Sequence, residues 1–135
     1  MALSLLRMFR NKGSNVSPFV LVSFSSKFPK ATHVLWQQMD VLKWQVNFML
    51  KKERCTALFN SDGKWLESVT IIPPHKLPEL LLKTLEEKYK KEGQKQIYHV
   101  QTPDRSHYEM NLNKGIHTIK LLFDLSGKIV GKLIL

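Results

Sequence analysis

The chain contains one short motif twice, and this duplication constrains its fold more than any other feature. Residues 59–65 read FNSDGKW and residues 123–129 read FDLSGKI, so each copy has a phenylalanine, polar residues, a Gly-Lys pair and then an apolar residue. A glycine that follows polar residues between two apolar runs is typical of a tight hairpin turn, because glycine accepts positive φ. The two copies therefore predict two hairpins built to the same plan.

A helix is predicted shortly before the first hairpin. Ser17-Pro18 is typical of a helix start, because the serine can cap free N–H groups and proline needs no N–H at the first helical position. Pro29 requires the helix to stop before it. Within these limits Phe19 and Val22 can share one apolar face of the helix.

Antiparallel strands are predicted to follow. Thr32–Gln37 is a short run rich in β-branched and aromatic residues, and over residues 42–50 every second residue is apolar, with Lys43, Gln45, Asn47 and Met49 between them. The alternation continues through residues 55–59, Asn60-Ser61-Asp62-Gly63 forms a turn, and Lys64–Ile72 is the returning strand. This half of the chain is thus one helix followed by about four strands.

The same order of elements begins again after the Pro73-Pro74 break. Leu77-Pro78-Glu79 opens a second helix that Gly93 ends, and the strands follow at Gln96–Gln101, at residues 108–113 and on both sides of FDLSGKI. We therefore predict an α+β domain over residues 17–135, made of two tandem repeats at about 17–72 and 77–135. The matched core positions are expected to be Trp44, Phe48, Phe59, Tyr108, Leu112 and Phe123.

Positive charge is the main feature of the composition. The chain has 21 Lys and Arg against 11 Asp and Glu, a net charge of +10, which favours an anionic partner. A basic nucleic-acid-binding or anion-binding protein is therefore one alternative. The basic residues are spread along the whole chain, however, and no zinc-finger spacing or RNA-binding signature accompanies them. We expect no specific nucleic acid as the partner.

No catalytic or metal-binding pattern is present in the sequence. The five histidines lack an HExxH-type spacing, and Gly63 and Gly127 do not follow a strand in the way that a phosphate-binding loop requires. Cys55, the single cysteine, cannot form an internal disulfide and falls on the apolar face of a strand. We therefore predict that the chain is not an enzyme and has no metal or cofactor.

Several stretches together resemble the PepSY-like family of beta-lactamase-inhibitor-like proteins, which are small and mostly exported proteins of Bacteroides-type bacteria. The resemblance covers residues 17–131 and lies in the order of its pieces: SKFPKATHVLW at 26–36, WQVNF at 44–48, ALFNSDGKW at 57–65, LPELL at 77–81, YEMNL at 108–112 and FDLSGKI at 123–129. It implies two helix-plus-sheet repeats whose strands make one curved sheet, with helices on one face and the other face open. It does not imply an enzyme.

The open face is the predicted binding surface, where a protein or peptide of unknown identity would bind. A plain solvated sheet face is the alternative. Alternation assigns Met49, Leu58 and Leu122 to this face as apolar contacts. The polar residues that it assigns there are Lys43, Gln45, Asn47, Thr56, Glu109, Asn111, Asn113 and Lys120.

The first residues leave the compartment open. We expect residues 1–16 to be a tail, although Arg7–Lys12 followed by Val16–Phe24 could also be a poor secretory signal. The family resemblance implies the periplasm or cell envelope, whereas the absence of a clear signal peptide leaves the cytoplasm open. No run of apolar residues is long enough to span a bilayer, and the sequence does not indicate an oligomeric state.

Overall fold

A computed structural model describes residues 15–92 and 96–135. These residues form two α-helices and eight β-strands, which confirms the predicted α+β class. The predicted tail, apart from its last two residues, and the helix-ending Gly93 lie outside the described residues. The chain divides into two compact units, and the division falls between Ser68 and Val69 of the fourth strand.

The first unit contains one helix and the first strands of the chain. Helix α1 spans Pro18–Lys27, and the strands are β1 Thr32–Asp40, β2 Lys43–Leu50, β3 Glu53–Asn60 and the beginning of β4 Trp65–Ile72. Strand β2 pairs antiparallel with both β1 and β3. Because side chains alternate between the faces of a strand, Trp44, Val46 and Phe48 are buried together on one face of β2.

Aromatic rings fill the core of the first unit. The Phe24 ring centroid lies 5.1 Å from that of Phe48 and 5.3 Å from that of Trp36, both in edge-to-face geometry. Phe59 is completely buried in the same cluster. Edge-to-face pairs add to the energy of burial itself, since the positive edge of one ring meets the negative face of the other.

The buried face of α1 is not the one predicted. Phe19 and Val22 are exposed, whereas Val20 and Phe24 are fully buried. Val16, which the sequence placed in the tail, is also buried in this core. Residues four apart share one face of a helix, so these three side chains form a continuous stripe that leads into the helix from the residue before Ser17.

Ser17 also behaves differently from its predicted role. Its side chain does not cap the helix. The Oγ atom instead donates a hydrogen bond of 2.8 Å to the carbonyl oxygen of Ser61, in the turn before β4. Pro18 does occupy the start of the helix, as predicted. The serine therefore ties the start of α1 to the hairpin turn.

The second unit repeats the order of helix and strands. Helix α2 spans Glu79–Lys88 between short 3-10 helices at Pro74–Lys76 and Lys90–Glu92. The strands that follow are β5 Ile97–Gln101, β6 Ser106–Lys114, β7 His117–Phe123 and β8 Ile129–Ile134. Each of these strands pairs antiparallel with the next.

Aliphatic side chains dominate the core of the second unit. Leu81 of α2 is fully buried against Met110 and Leu121, and Phe123 is the one buried aromatic residue of the cluster. Leu112 is buried beside them, while Tyr108 is half-buried against the cluster. All six predicted core positions of the two units therefore face a core.

The two FxxxGK turns have the same pattern of backbone hydrogen bonds. In the first, the Asn60 N–H donates to the Lys64 carbonyl and the Gly63 N–H donates to the Asn60 carbonyl; Asp124, Gly127 and Lys128 make the same pair of bonds in the second. Both glycines have positive φ, at 95° and 98°. This confirms their predicted conformational role.

Each turn glycine also lies against the helix of its own unit. A Cβ atom at Gly63 would come within 2.7 Å of the Phe19 carbonyl oxygen, and one at Gly127 within 2.6 Å of the Leu81 backbone nitrogen. No real Cβ atom sits that close to backbone. Glycine is therefore required at each position for two reasons. It adopts the positive φ of the turn, and its lack of a side chain lets the helix pack against the turn.

Candidate binding surfaces

The face of β2 and β3 opposite the aromatic core is here called the first outer face. Lys43 is exposed, and Gln45, Asn47 and Thr56 are half-buried. The apolar side chains of Met49 and Leu58 lie half-buried among them. Pairing brings the members of the face together, because Gln45 lies opposite Leu58 and Asn47 opposite Thr56. The strand alternation thus places these side chains where the sequence predicted.

Hydrogen bonds connect the amide side chains of the first outer face. The Asn47 Oδ1 atom accepts a bond of 2.8 Å from the Thr56 hydroxyl and one of 3.4 Å from the Gln45 amide nitrogen. These bonds hold neutral polar groups in fixed positions on the sheet. Such a surface can offer donors and acceptors to another polypeptide with little loss of side-chain entropy.

The second outer face lies on β6 and β7, opposite the aliphatic core. Asn111 and Asn113 are exposed, while Glu109, Lys120 and Leu122 are half-buried. Asn111 lies directly opposite Lys120, and Glu109 lies opposite Leu122. All the site residues predicted for this half of the chain therefore lie on one face of the second unit.

An ionic trio distinguishes the second outer face from the first. One carboxylate oxygen of Glu109 lies 2.7 Å from His107 Nε2, and the other lies 3.3 Å from Lys120 Nζ. Because all three side chains are partly exposed, the trio adds little to stability. Its effect is to hold the carboxylate between two basic groups.

Sequence reasoning missed His107, although its alternation with Glu109 was visible. Residues two apart on a strand share a face, so His107 belongs to the face that carries Glu109, Asn111 and Asn113. The contact with Lys120 could not be found in the same way, because it depends on the register between β6 and β7.

A histidine of β5 and the first residue of β6, a serine, are also in contact. His99 Nε2 lies 2.7 Å from Ser106 Oγ, and the His99 ring packs at 5.2 Å from the Tyr108 ring. Burial lowers the pKa of His99 below its ordinary value, and the nearby His107 lowers it further. The contact between His99 and Ser106 links β5 to the start of β6.

The possible metal ligands and the single cysteine are the remaining groups of chemical interest among the described residues. Within residues 15–92 and 96–135, no group of three or more His, Cys, Asp or Glu side chains is placed to hold a metal ion. Cys55 is buried in the first core, with its sulfur 3.8 Å from the Glu53 carbonyl oxygen. None of the described helices has the length and apolar character needed to cross a bilayer.

The sequence of the chain matches one known protein family. The family described as "Putative beta-lactamase-inhibitor-like, PepSY-like" matches residues 43–131, which include the polar residues of both outer faces. The chain belongs to this PepSY-like family, as the order of its sequence stretches had indicated. No curated protein matches the chain.

Solved structures from Bacteroides species have a similar fold. A BLIP-like protein from Bacteroides fragilis has 15% identity and a TM-score of 0.77, and the match covers 90% of this chain and 88% of that one. A DUF2874 family protein from Bacteroides ovatus has 18% identity and a TM-score of 0.75, with coverage of 90% and 89%. A third, from Bacteroides eggerthii and described among "putative periplasmic proteins", has 16% identity, a TM-score of 0.74 and coverage of 90% for both chains. At these identities the likeness shows the fold alone.

Proposed function

We propose that this chain is a non-catalytic binding module whose ligand is a protein or an extended peptide. The observation that carries the proposal is the composition of the two outer faces. Each combines ordered polar groups with half-buried apolar side chains, Met49 and Leu58 on the first and Leu122 on the second. Protein interfaces use this mixture, in which apolar contacts supply burial and polar groups supply orientation.

The shape of a sheet face also favours a polypeptide partner. Side chains on a strand stand side by side and offer a broad surface, whereas small-molecule sites are concave and bury most of their ligand. Family membership is in keeping with this reading, since the family is described as beta-lactamase-inhibitor-like. The proposed site residues are those predicted from the sequence on the two outer faces.

The finer organisation of the domain remains part of the proposal. We propose two tandem repeats over about residues 17–72 and 77–135, supported by the matching hydrogen bonds of the two FxxxGK turns. The one curved sheet with helices on one face, which the family resemblance implies, stays a prediction.

A cell-envelope location is also proposed. It is supported by the Bacteroides eggerthii relative described as periplasmic. Fractionation of native cells into periplasm, membranes and cytoplasm, followed by immunodetection, would test this location. Recovery of the native protein in the cytoplasmic fraction would contradict it.

The test is a capture experiment on native extract with variants of the outer faces. Asn47→Trp with Asn111→Trp adds bulk to both faces, and Lys43→Glu with Lys120→Glu reverses their charge. Either pair is expected to abolish capture of the partner recovered by the wild-type chain. The melting temperature checks that each variant still folds. Changes at the exposed Lys43 and Asn111 should alter stability by only about 0.5 kcal/mol, whereas Asn47→Trp also removes the hydrogen bonds of a half-buried side chain and should cost more.

The matched control lies on α2 and on the short 3-10 helix that follows it. Lys83→Glu with Lys90→Glu reverses two exposed charges at positions that belong to neither outer face. Capture by this variant should equal that of the wild type. Equal, salt-sensitive loss in both charge variants would instead favour the alternative of general anion binding driven by the net charge of +10. Steep weakening of DNA binding as salt rises would support the same alternative.

A further inference from the structure

The hairpin turn between β2 and β3 has unusual residues at its tip. Lys51 and Lys52 are the two central residues, and both have positive φ, at 51° and 66°. Positive φ at both positions is the pattern of a type I′ turn, which strongly prefers Asn-Gly or a similar pair. Lysine is disfavoured in this backbone region because its Cβ crowds the carbonyl oxygen. The tip is therefore built from residues that suit its backbone poorly.

Positive charge collects at the same end of the first unit. Thr32 at the start of β1 pairs with Met49 near the end of β2, so the residues just before β1 lie at the same end of the sheet as this hairpin. Glu53 is the one carboxylate between Met49 and Cys55. Four exposed cations at this end are here called the basic tip: Lys30, Lys51, Lys52 and Arg54.

The corresponding hairpin of the second unit is built differently. Between β6 and β7 the positive φ of 65° belongs to Gly115, where a side chain is absent. The residues beside it are Lys114 and Ile116, both exposed. The same chain thus forms one hairpin with a residue suited to its turn, while the other turn keeps two lysines. Strain of this kind tends to be found at functional positions.

The basic tip adjoins the first outer face. Arg54 lies opposite Met49, which is one of the apolar side chains of that face. A polypeptide that follows the first outer face toward this end of β2 would therefore meet the basic tip. Its side chains there would face Lys51, Lys52 and Arg54, with Glu53 between the last two in the sequence.

We propose that the basic tip binds an acidic segment of the protein partner. This inference rests on the proposed function and specifies the chemistry of its ligand: Asp- or Glu-rich sequence next to residues that cover Met49 and Leu58. Apolar side chains beside the cations favour a polypeptide over a phosphate polymer, whose contacts are mainly with charge. Long-range attraction by the tip would also speed association at low salt.

The test uses a fluorescein-labelled synthetic peptide that alternates glutamate with valine, and measures its binding to the full chain by anisotropy. Lys51→Glu with Lys52→Glu should raise the Kd about tenfold or more, since charge pairs at an interface are lost and replaced by repulsion. The control, Lys114→Glu with Lys128→Glu, changes the net charge equally on the second unit and should raise the Kd less than about threefold, because neither lysine belongs to the basic tip and charges without direct contact are screened by salt.

A second variant separates charge from folding. Lys51→Asn with Lys52→Gly places favoured residues in the type I′ turn, so the melting temperature should rise while peptide affinity falls. Unchanged affinity in this variant, or equal loss in both glutamate variants, would overturn the proposal. So would a wild-type chain that ignores the peptide but binds duplex DNA or phosphatidylglycerol vesicles.

The outcomes also keep the two proposals apart. If Asn47→Trp abolishes partner capture while both hairpin variants retain it, the outer-face function stands and the basic tip is refuted. If neither site affects capture, the proposed function itself fails.

Discussion

Each unit has an FxxxGK turn with the same backbone hydrogen bonds, but the side chains packed around the two turns differ. Phe59 and Phe123 precede the two FxxxGK turns and are both fully buried, but their neighbours differ. The first core surrounds Phe59 with Phe24, Trp36 and Phe48, whereas the second surrounds Phe123 with aliphatic residues and Met110. The backbone plan is therefore set by the turn and the strand alternation, and cores of different composition can fill it.

The surfaces of the units differ as well. The first outer face carries a neutral amide network around Asn47, and the second carries the ionic trio around Glu109. The first turn has neutral Asn60 where the second has Asp124. Salt and pH should consequently act more strongly on the second unit than on the first.

The largest effects are expected from truncation of the two core phenylalanines. Phe59→Ala and Phe123→Ala should each lower the free energy of unfolding by about 3–5 kcal/mol. Phe59→Ala should cost more, because its ring also contacts Phe24 at 6.3 Å and Trp36 at 6.5 Å. Urea unfolding measures both variants.

Two optical probes can separate the units in this experiment. All three tryptophans, at positions 36, 44 and 65, belong to the first unit, so their fluorescence reports on it while far-UV circular dichroism reports on both. Near-neutral results for both variants would mean that the inner and outer faces are exchanged. A larger loss for Phe123→Ala would contradict the contribution of the aromatic contacts.

A smaller loss is expected at the turn glycines. Gly63→Val and Gly127→Val should each cost about 1–3 kcal/mol for a strained backbone, at the upper end because a Cβ would meet the helix. Gly115→Ala is the control, since it has positive φ but no atom within 4 Å of the added Cβ. It should cost only about 1 kcal/mol. Melting temperatures equal to the wild type in both valine variants would refute the proposed turn geometry.

Mild acid should destabilise the second unit through His99. Burial, followed by the charge of His107, lowers the pKa of His99 below its ordinary 6.5. The unfolded chain therefore binds the proton first, so the contribution is fully present above pH 6.5 and is lost as the pH falls toward the lowered value. His99→Gln should flatten this part of the stability profile. An unchanged profile in the variant would assign the acid sensitivity to another group.

The smallest effect is expected at Asp124, in stronger acid. Hydrogen bonds from the Ser126 side chain and then from the Lys128 and Ser126 backbone lower the pKa of Asp124 below its ordinary 3.8. Its contribution is present above that value and is lost as the pH falls through the lowered pKa. Asp124→Asn reproduces the residue of the first turn and should remove this dependence. The reverse change, Asn60→Asp, should introduce it into the first unit.

Strand positions could be predicted from the sequence because alternation is a local property. The pattern of β2 placed Trp44 and Phe48 inside and Lys43 and Asn47 outside, as the structure has them. Helix α1 was different, since apolar residues occur nearly all around it, and the face predicted from Phe19 and Val22 was wrong. Only packing against the sheet decides which face is buried.

The finer features of the surfaces needed the structure. The contact between Glu109 and Lys120 depends on strand register, which the sequence of either strand alone does not contain. The type I′ turn at Lys51 and Lys52 could not be predicted either, since the Asn-Gly pair that usually indicates such a turn is missing. Sequence patterns thus identified the residues of the outer faces, but not the contacts between their charged side chains.

The central claim is that a protein partner lies on the outer faces, and site-specific photo-crosslinking tests it most directly. Benzoylphenylalanine would be placed at Asn47 and Asn111 on the two faces, and at Lys83 and Glu87 on the solvent side of α2 as controls. Irradiation in native extract should give one covalent adduct of the same partner at positions 47 and 111 and none at 83 and 87. Adducts at the helix positions alone would contradict the account.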